Sequence, residues 1–352
     1  MTTHTIITSD SHDMSCIPDE SVQLIVTSPP YPMVQMWDDV FCSQEPAIQE
    51  FITDGMVERA YNMMHQLLSG VWEECDRITM PGGFICINIG DAVRTINGIF
   101  RLYPNHITIA DWFISKGYCA LPDIIWHKVV NTPTKFMGSG MYPAGAYVTL
   151  EHEYILIFRK GGCRQFNKDG KVLRHQSAYF WEERNTWFSD VWTTGGIRQT
   201  IPTVGDSRQR SASYHFDIPY RLINMYSVKG DTVVDPFVGL GTTSLASAVS
   251  NRNSIGFDID GIIAGYAMDR IMHDSIGVSE QMTDRRVRRH IEYVSNQAHP
   301  AKYLSLEYGF PVKTNQETKI KFEIIDSCGM ARPGDIENSM RMVCTYRDFS
   351  MD

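Results

Sequence analysis

Short apolar segments alternate with helical segments along most of this chain of 352 residues. Strands that are joined through helices lie parallel, and strands covered on both faces show short, nearly continuous apolar runs. The pattern therefore predicts an α/β fold with a mainly parallel sheet and helices on both faces. The predicted strands are 5–8, 24–27, 83–89, 123–126, 153–158, 232–234 and 254–257, and the predicted helices are 46–79, 106–116, 217–227, 242–250 and 262–273.

The second predicted strand ends in a stiff corner, Ser28-Pro29-Pro30-Tyr31. Two consecutive prolines fix the backbone and remove two N–H donors, so their carbonyl oxygens remain as acceptors. Ser28 adds a hydroxyl, and Tyr31 adds a flat ring. Such a corner suits an amino group on a planar heterocycle, which would stack on Tyr31 and donate to Ser28 and the Pro29 carbonyl. A surface turn that only ends the strand is the alternative.

A second corner, Asp235-Pro236-Phe237-Val238-Gly239-Leu240-Gly241-Thr242-Thr243, leads from a strand into a helix rich in alanine and serine. Gly239 and Gly241 permit a tight turn and a close approach of a ligand to the backbone. No Gly-Lys-Ser/Thr follows, so the corner is not a P-loop. The third glycine of the nicotinamide fingerprint is also missing. Ordinary turn chemistry is the alternative at this point.

The next strand places Asp258 at its carboxyl end. Nucleotide-binding α/β folds keep an acid at about this distance from the glycine corner, where it accepts hydrogen bonds from the ribose hydroxyls. The competing interpretation is that Asp258 caps the helix that follows. Together with the glycine corner, Asp258 favours a nucleoside-binding site.

The two corners together resemble those of amino-directed DNA methyltransferases that use S-adenosylmethionine. In that family a D/N/S-P-P-Y/F corner holds the target base, and a D-P-F-x-G-x-G-T-T corner holds the cofactor. The order here, catalytic corner first and cofactor corner last, is similar to the β-type order of the family. The resemblance covers about residues 4–274. It implies a Rossmann-like methyltransferase fold with a mainly parallel seven-stranded sheet and an inserted recognition region.

The resemblance also implies the site residues. Ser28, Pro29, Pro30 and Tyr31 are expected to be catalytic. The acid of the first strand would contact the cofactor adenine, and the segment "YHFDIP" would cover the methionine part. The implied cofactor-binding residues are Asp10, Thr27, His215, Phe216, Asp235, Pro236, Phe237, Gly239, Gly241, Thr242, Thr243 and Asp258.

The residues of the first corner fit transfer of a methyl group to an exocyclic amine. The lone pair of such an amine is delocalised into the ring, and acceptors for both N–H groups localise it. A base inside a duplex must be flipped out to reach such a corner. No Pro-Cys dipeptide is present, which argues against methylation at C5 of cytosine. Serine at the first corner position is commoner in cytosine-N4 members, so we expect N4-cytosine, with adenine N6 as the alternative.

The polar stretch 163–211 is net basic, although the whole chain carries a formal charge of −9. We expect this stretch to recognise double-stranded DNA, because arginine is the commonest partner of guanine and also contacts phosphates. Solvated surface is the alternative for each arginine. The candidate residues are Arg184, Arg198, Arg208 and Arg210.

The sequence thus predicts four parts: a catalytic half at 1–162, a recognition region at 163–211, a cofactor-binding half at 212–297, and a C-terminal extension at 298–352 without a readable motif. A cognate restriction endonuclease is a plausible genetic partner, and the oligomeric state is left open.

Several other classes of protein are disfavoured. The eight cysteines are scattered, and neither they nor the histidines show the spacing of a zinc site, so we expect no metal and reduced thiols. No apolar run approaches the roughly 20 residues that cross a bilayer, and the N-terminus lacks the features of a signal peptide, so we expect a cytoplasmic protein. A nicotinamide-dependent oxidoreductase would leave the Pro-Pro-Tyr corner unexplained. A non-catalytic DNA-binding module would not need both corners.

Overall fold

A computed structural model describes residues 1–129, 138–195, 214–299, 301–332 and 336–351. Its strands are β1 (Thr2–Thr8), β2 (Val22–Thr27), β3 (Thr79–Ile89), β4 (Ala92–Ile96), β5 (Ile99–Tyr103), β6 (Cys119–Ala120), β7 (Ile124–Val129), β8 (His152–Arg159), β9 (Val191–Gly195), β10 (Thr232–Asp235), β11 (Asn253–Asp258), β12 (Tyr303–Leu304), β13 (Pro311–Val312), β14 (Glu323–Met330) and β15 (Ser339–Asp348). Its α-helices are α1 (Asp38–Gln44), α2 (Ala47–Thr53), α3 (Val57–Ile78), α4 (Asn105–Ser115), α5 (Lys168–Gln176), α6 (Trp181–Trp187), α7 (Asp217–Tyr226), α8 (Thr242–Val249) and α9 (Gly261–Ser295).

One large mixed sheet organises the fold, and its strand order is β14-β15-β1-β11-β10-β2-β3-β8-β7-β9, with β6 paired to β8. The central strands β1, β11, β10, β2 and β3 are parallel to one another. Strand β8 runs antiparallel between β3 and β7. The predicted α/β class is confirmed, and the sheet is wider than the seven strands that the resemblance implied.

The additional width at one edge comes from the C-terminal extension. Strands β14 and β15 form an antiparallel hairpin, and β15 pairs with β1. Cys328 and Cys344 face each other across this hairpin and form a disulfide, so the expectation of reduced thiols is wrong for this pair. The two cysteines become neighbours only through strand pairing, which their spacing in the sequence does not reveal.

The sheet is buried on both faces, as the continuous apolar strands predict. Alternate residues of β2 point to opposite sides. Leu24 and Val26 belong to the apolar cluster under α7, α8 and α9, whereas Ile25 belongs to the cluster under α3 and α4. No helix in the described ranges combines the length and apolarity required to span a membrane.

The topology brings the two predicted corners together. Strands β2 and β10 are hydrogen-bonded parallel neighbours, with Leu24 opposite Val233 and Ile25 opposite Val234. Because parallel strands end at the same edge of a sheet, the corners that follow β2 and β10 lie side by side.

Candidate functional site

A cleft opens at the carboxyl ends of β1, β2, β10 and β11. The catalytic corner contributes to one wall, the glycine corner to another, and Trp37 and Tyr214 also line it. Trp37 also packs against the apolar cluster under α3. The predicted site residues that line the cleft are Asp10, Ser28, Pro30, Pro236, Phe237, Gly239, Thr242 and Asp258.

Beneath the cleft, Asp235 ties the two corners to each other. Its Oδ1 accepts a hydrogen bond from Thr27 Oγ1 at 2.6 Å, and its Oδ2 accepts one from Thr243 Oγ1, also at 2.6 Å. All three side chains are buried. Thr27 immediately precedes Ser28, and Asp235 begins the glycine corner. These three predicted site residues therefore fix the position of one corner relative to the other and do not line the cleft.

The buried carboxyl of Asp235 gives the fold a testable dependence on pH. Desolvation raises its pKa from 3.8 to about 6, although both threonines donate to it. The native state therefore holds this proton more tightly than the unfolded chain. Its stabilising contribution is complete below about pH 4 and is lost as the pH rises through about 6, a change on the order of 3 kcal/mol.

We expect Asp235→Asn to remove this component. The unfolding free energy of the wild type should fall relative to that of the variant between about pH 4 and pH 7. Urea denaturation of both proteins at several pH values measures the difference between their unfolding free energies. The contributions of the other titrating groups cancel, because both proteins contain them. Two parallel pH profiles would contradict the assignment.

The two glycines of the second corner serve different purposes. Gly239 has a φ of +49° and lines the cleft, and the nearest atom to a Cβ placed there is a backbone oxygen at 3.9 Å, so the wall is open at this point. Gly241 has a φ of +73°, and a Cβ there would lie 3.1 Å from the Cβ of Ala267 on α9. Gly239 leaves room for a ligand, whereas Gly241 lets α8 pack closely against α9.

Two carboxylates stand at the mouth of the cleft. Asp10 Oδ1 lies 2.6 Å from His12 Nδ1, and His12 Nε2 lies 2.7 Å from the Leu67 carbonyl oxygen. The hydrogen bond from His12 lowers the pKa of Asp10, and the same contact raises the pKa of His12. The second carboxylate, Asp258, accepts from the backbone N–H of Asp260 at 2.9 Å.

Asp260, and not Asp258, caps the following helix. Its Oδ1 accepts from the N–H of Ile262 at 2.9 Å and from that of Ile263 at 3.4 Å. The alternative that Asp258 serves as the N-cap is therefore excluded. Asp258 lines the cleft.

The segment "YHFDIP" contributes a different residue from those predicted. His215 Nδ1 accepts from the N–H of Asp217 at the start of α7, and Phe216 stacks on Tyr220 with ring centroids 5.5 Å apart. Neither lines the cleft. Tyr214 does, and its hydroxyl bonds to Thr243. Within this segment the cleft is therefore lined by Tyr214, and the contact of His215 and Phe216 with the cofactor stays a prediction.

Tyr31 takes a different position from the one expected of a stacking platform. It does not line the cleft, and its ring edge lies against Gly90, where a Cβ would be 3.0 Å from Cε2. Its hydroxyl lies 3.2 Å from Ser28 Oγ and donates to Glu153 Oε2 at 2.9 Å. The structure therefore makes Tyr31 a hydrogen-bonding partner of Ser28.

A polar network continues behind Tyr31. Asn88 Nδ2 donates to the hydroxyl of Tyr31 at 2.8 Å and to Glu153 Oε2 at 2.7 Å, and it lies 3.4 Å from Ser28 Oγ. Lys128 forms an ion pair with Glu153 Oε1. Burial, followed by the charge of Glu153, raises the pKa of Tyr31 well above its usual value, so its hydroxyl keeps its proton. Asn88 Oδ1 is buried and has no partner among the described residues.

Asn88, Lys128 and Glu153 are absent from the predicted site. Of these three residues, only Glu153 could have been noticed in the sequence, because it is an acid at the start of the apolar strand β8. Its contact with Tyr31 depends on the pairing of β3 with β8, which brings together residues far apart in the chain.

The structure does not bring Arg184 to the cleft. Arg184 lies on α6, which precedes the amino end of β9, whereas the cleft lies at the carboxyl end of that strand. Arg198, Arg208 and Arg210 lie outside the described residues. The residues that flank their segment, Gly195 at the end of β9 and Tyr214 in the cleft, are both at the catalytic edge.

Sequence comparison identifies the family. Residues 22–268 match the profile of a family described as DNA methylase, of the N6/N4 type. The chain is 50% identical to the Type II methyltransferase M.MthZI of Methanothermobacter thermautotrophicus, over 91% of this chain and 90% of that protein. It is 47% identical to the Type II methyltransferase M.MjaI of Methanocaldococcus jannaschii, over 80% of this chain and 93% of that protein.

Solved structures show the same fold. TTHA0409 of Thermus thermophilus, a candidate DNA modification methylase solved with S-adenosyl-L-methionine, is 27% identical with a TM-score of 0.59, over 77% of this chain and 96% of that one. The cytosine-N4-specific PvuII DNA methyltransferase is 16% identical with a TM-score of 0.54, over 82% of this chain and 93% of that one, a likeness of fold alone. Since the profile spans most of the chain, and both corners meet in one cleft, the chain belongs to the S-adenosylmethionine-dependent DNA methylases.

Proposed function

We propose that this protein methylates the exocyclic N4 amine of a cytosine flipped out of double-stranded DNA, as the modification enzyme of a restriction–modification system. The observation that carries the proposal is the shared cleft, in which Ser28 and Gly239 form part of the same lining. The hydrogen bond between Thr27 and Asp235 holds the two walls in register. Serine at position 28 supports cytosine over adenine, and the Type II relatives support a role in restriction–modification.

The wall around the glycine corner fits the methyl donor. The open backbone at Gly239 admits close approach of a ligand, and Asp258 offers a carboxylate to the ribose hydroxyls. Asp10 and the apolar ring of Phe237 complete the nucleoside-binding wall. When bound, S-adenosylmethionine supplies an electrophilic methyl group, and in-line placement supplies much of the remaining rate enhancement.

Ser28 prepares the amine. Its hydroxyl proton can be donated to the oxygen of Tyr31, whose own proton is donated to Glu153. This arrangement leaves lone pairs of Ser28 Oγ free to accept a hydrogen bond from the amine. The Pro29 carbonyl accepts a hydrogen bond from the second N–H group of the amine. Both hydrogen bonds localise the lone pair on the nitrogen.

The same chain of hydroxyls provides a route for the proton that the amine loses. As the bond from the amine nitrogen to the methyl carbon forms and the bond from that carbon to the donor sulfur breaks, the amine proton passes to Ser28 Oγ, the Ser28 proton to Tyr31, and the Tyr31 proton to Glu153. Lys128 balances the charge of Glu153 before the transfer. Tyr31 remains protonated at rest, as this transfer requires.

We expect Glu153→Gln to slow methyl transfer by about tenfold or more, because glutamine keeps the shape but accepts no proton. Duplex binding and donor binding should stay unchanged, and single-turnover kinetics with labelled donor separate these steps. Glu151→Gln is the matched control, since Glu151 is 40% exposed beside His127 and outside this network. Equal rates for both variants would remove Glu153 from the proton route.

The target base is determined by chemical analysis of the product. DNA methylated by the purified protein is digested to nucleosides and analysed by mass spectrometry. We expect N4-methylcytosine, and N6-methyladenine as the sole product would reassign the target to adenine on the same site. Modification-sensitive sequencing of treated genomic DNA then gives the recognition sequence.

The recognition of that sequence is proposed to come from the part of the basic stretch 163–211 that follows β9, with Arg198, Arg208 and Arg210 as the candidate contacts. Their segment joins Gly195 to Tyr214, both at the edge where the flipped base must enter. Arg184 is not included, because its helix lies at the other end of β9.

A further inference from the structure

A second cleft lies at the opposite end of the sheet, where β2 and β3 begin. Gln23 and Gly82 mark its position at the amino ends of these strands, and the helices α5 and α6 form one side of it. It shares no lining residue with the catalytic cleft. A ligand held here would therefore occupy a site separate from the donor and the target base.

The lining of this cleft is strongly cationic in a protein whose net charge is −9. The acid on the lining, Glu317, is buried and accepts from the backbone N–H groups of Trp181 and Thr314. Five of the cations on the lining form no ion pair with any residue in the described part of the chain. These five are Arg159, Lys171, Arg174, Arg184 and Lys319.

Aromatic rings lie between these cations. The guanidinium of Arg174 lies 5.2 Å from the centre of the Phe166 ring, and that of Arg184 lies 5.8 Å from the Phe188 ring. Trp181 is 42% exposed and Phe188 is 39% exposed on the lining. Cations therefore lie beside aromatic side chains on this lining, and the rings of Trp181 and Phe188 are partly exposed.

We propose that this rear cleft binds an unpaired strand of nucleic acid. Cationic grooves lined with aromatic side chains hold single strands, because the cations follow the phosphates while bases stack on the rings. A duplex hides the faces of its bases and would leave Trp181 and Phe188 unused. The proposal concerns a surface that methyl transfer does not require, so it goes beyond the proposed function.

The test measures binding of fluorescein-labelled oligothymidylate of about ten nucleotides, a length within the range that one such site covers. Thymine has no exocyclic amine, so this probe cannot act as a substrate of the catalytic cleft. Fluorescence anisotropy with the full chain gives the dissociation constant, and its dependence on salt reports the number of phosphate contacts.

Two charge reversals on one helix provide matched variants. Lys171 lines the rear cleft, whereas Lys168, also exposed on α5, does not. We expect Lys171→Glu to weaken binding of the oligonucleotide by about tenfold and to make its salt dependence shallower, and Lys168→Glu to change it by less than about twofold. Methylation of duplex DNA should be the same for both variants, and Ser28→Ala should bind the probe as the wild type does.

Variants of Trp181 test whether bases stack on the aromatic side chains of the rear cleft. Trp181→Ala should weaken binding by about fivefold or more, and Trp181→Phe should restore most of it. Absence of binding by the wild type, equal effects of Lys171→Glu and Lys168→Glu, or no effect of Trp181→Ala would each overturn the proposal. Competition by polyglutamate as effective as that by unlabelled oligothymidylate would overturn it in favour of an acidic protein segment.

Discussion

Alanine at Ser28 is expected to lower the rate constant of methyl transfer by about hundredfold or more. The substitution removes the hydroxyl that, in the proposed mechanism, accepts a hydrogen bond from the amine and passes a proton to Tyr31, whose oxygen lies 3.2 Å from Ser28 Oγ. It leaves the donor wall untouched, because the link between the corners runs through Thr27 and Asp235. Single-turnover measurements with saturating DNA and labelled donor give the rate constant directly.

The conservative variant distinguishes the role of Ser28 from a structural one. Ser28→Asn keeps a side-chain oxygen at this position, and we expect it to retain more activity than Ser28→Ala. Binding of duplex DNA and of S-adenosylmethionine should be nearly the same in both variants and in the wild type. A Ser28→Ala protein with wild-type turnover would show that the Pro29 carbonyl alone prepares the amine.

The two corners could be predicted because each is a local arrangement. The second strand ends directly before Ser28, and a strand, a glycine turn and a helix start lie within a few positions of each other around Gly239. The alternation of apolar segments then predicts that both turns lie at one edge of a parallel sheet. The position of Asp258 at this edge follows in the same way, because it lies at the carboxyl end of the next parallel strand.

The residues behind the corners could not be predicted in the same way. Glu153 reaches Tyr31 because β8 runs antiparallel beside β3, and Asn88 lies opposite Ile155 in that pairing. Strand order of this kind is a property of the whole sheet. The hydrogen bonds of Tyr31 could not be predicted for the same reason, since a ring beside two prolines suggests stacking.

The position of the basic residues in the predicted recognition region could not be derived from composition. Composition alone identified residues 163–211 as basic, but composition averages over both ends of the sheet. Helices α5 and α6 lie at the amino end of β9, so Arg184 contributes to the rear cleft. Part of the basic stretch thus lies at the end of the sheet opposite the catalytic cleft.

Replacing Asp258 by alanine is expected to weaken binding of S-adenosylmethionine by about ten- to hundredfold, the effect of losing hydrogen bonds to a charged acceptor. Asp258 lines the cleft beside the glycine corner, where a carboxylate can accept from two ribose hydroxyls. Turnover at saturating donor should change much less than the affinity, because Ser28, Tyr31 and Glu153 are unaffected. Isothermal titration calorimetry measures the dissociation constant.

Asp260→Ala is the matched control for Asp258→Ala, two residues away in the chain. Asp260 does not line the cleft, and its carboxylate caps α9 through the N–H groups of Ile262 and Ile263. Its loss should lower the unfolding free energy by about 1 kcal/mol and leave the affinity for S-adenosylmethionine unchanged. If Asp260→Ala weakened donor binding as much as Asp258→Ala, the effect would have to come from the start of α9, and the ribose contact assigned to Asp258 would be wrong.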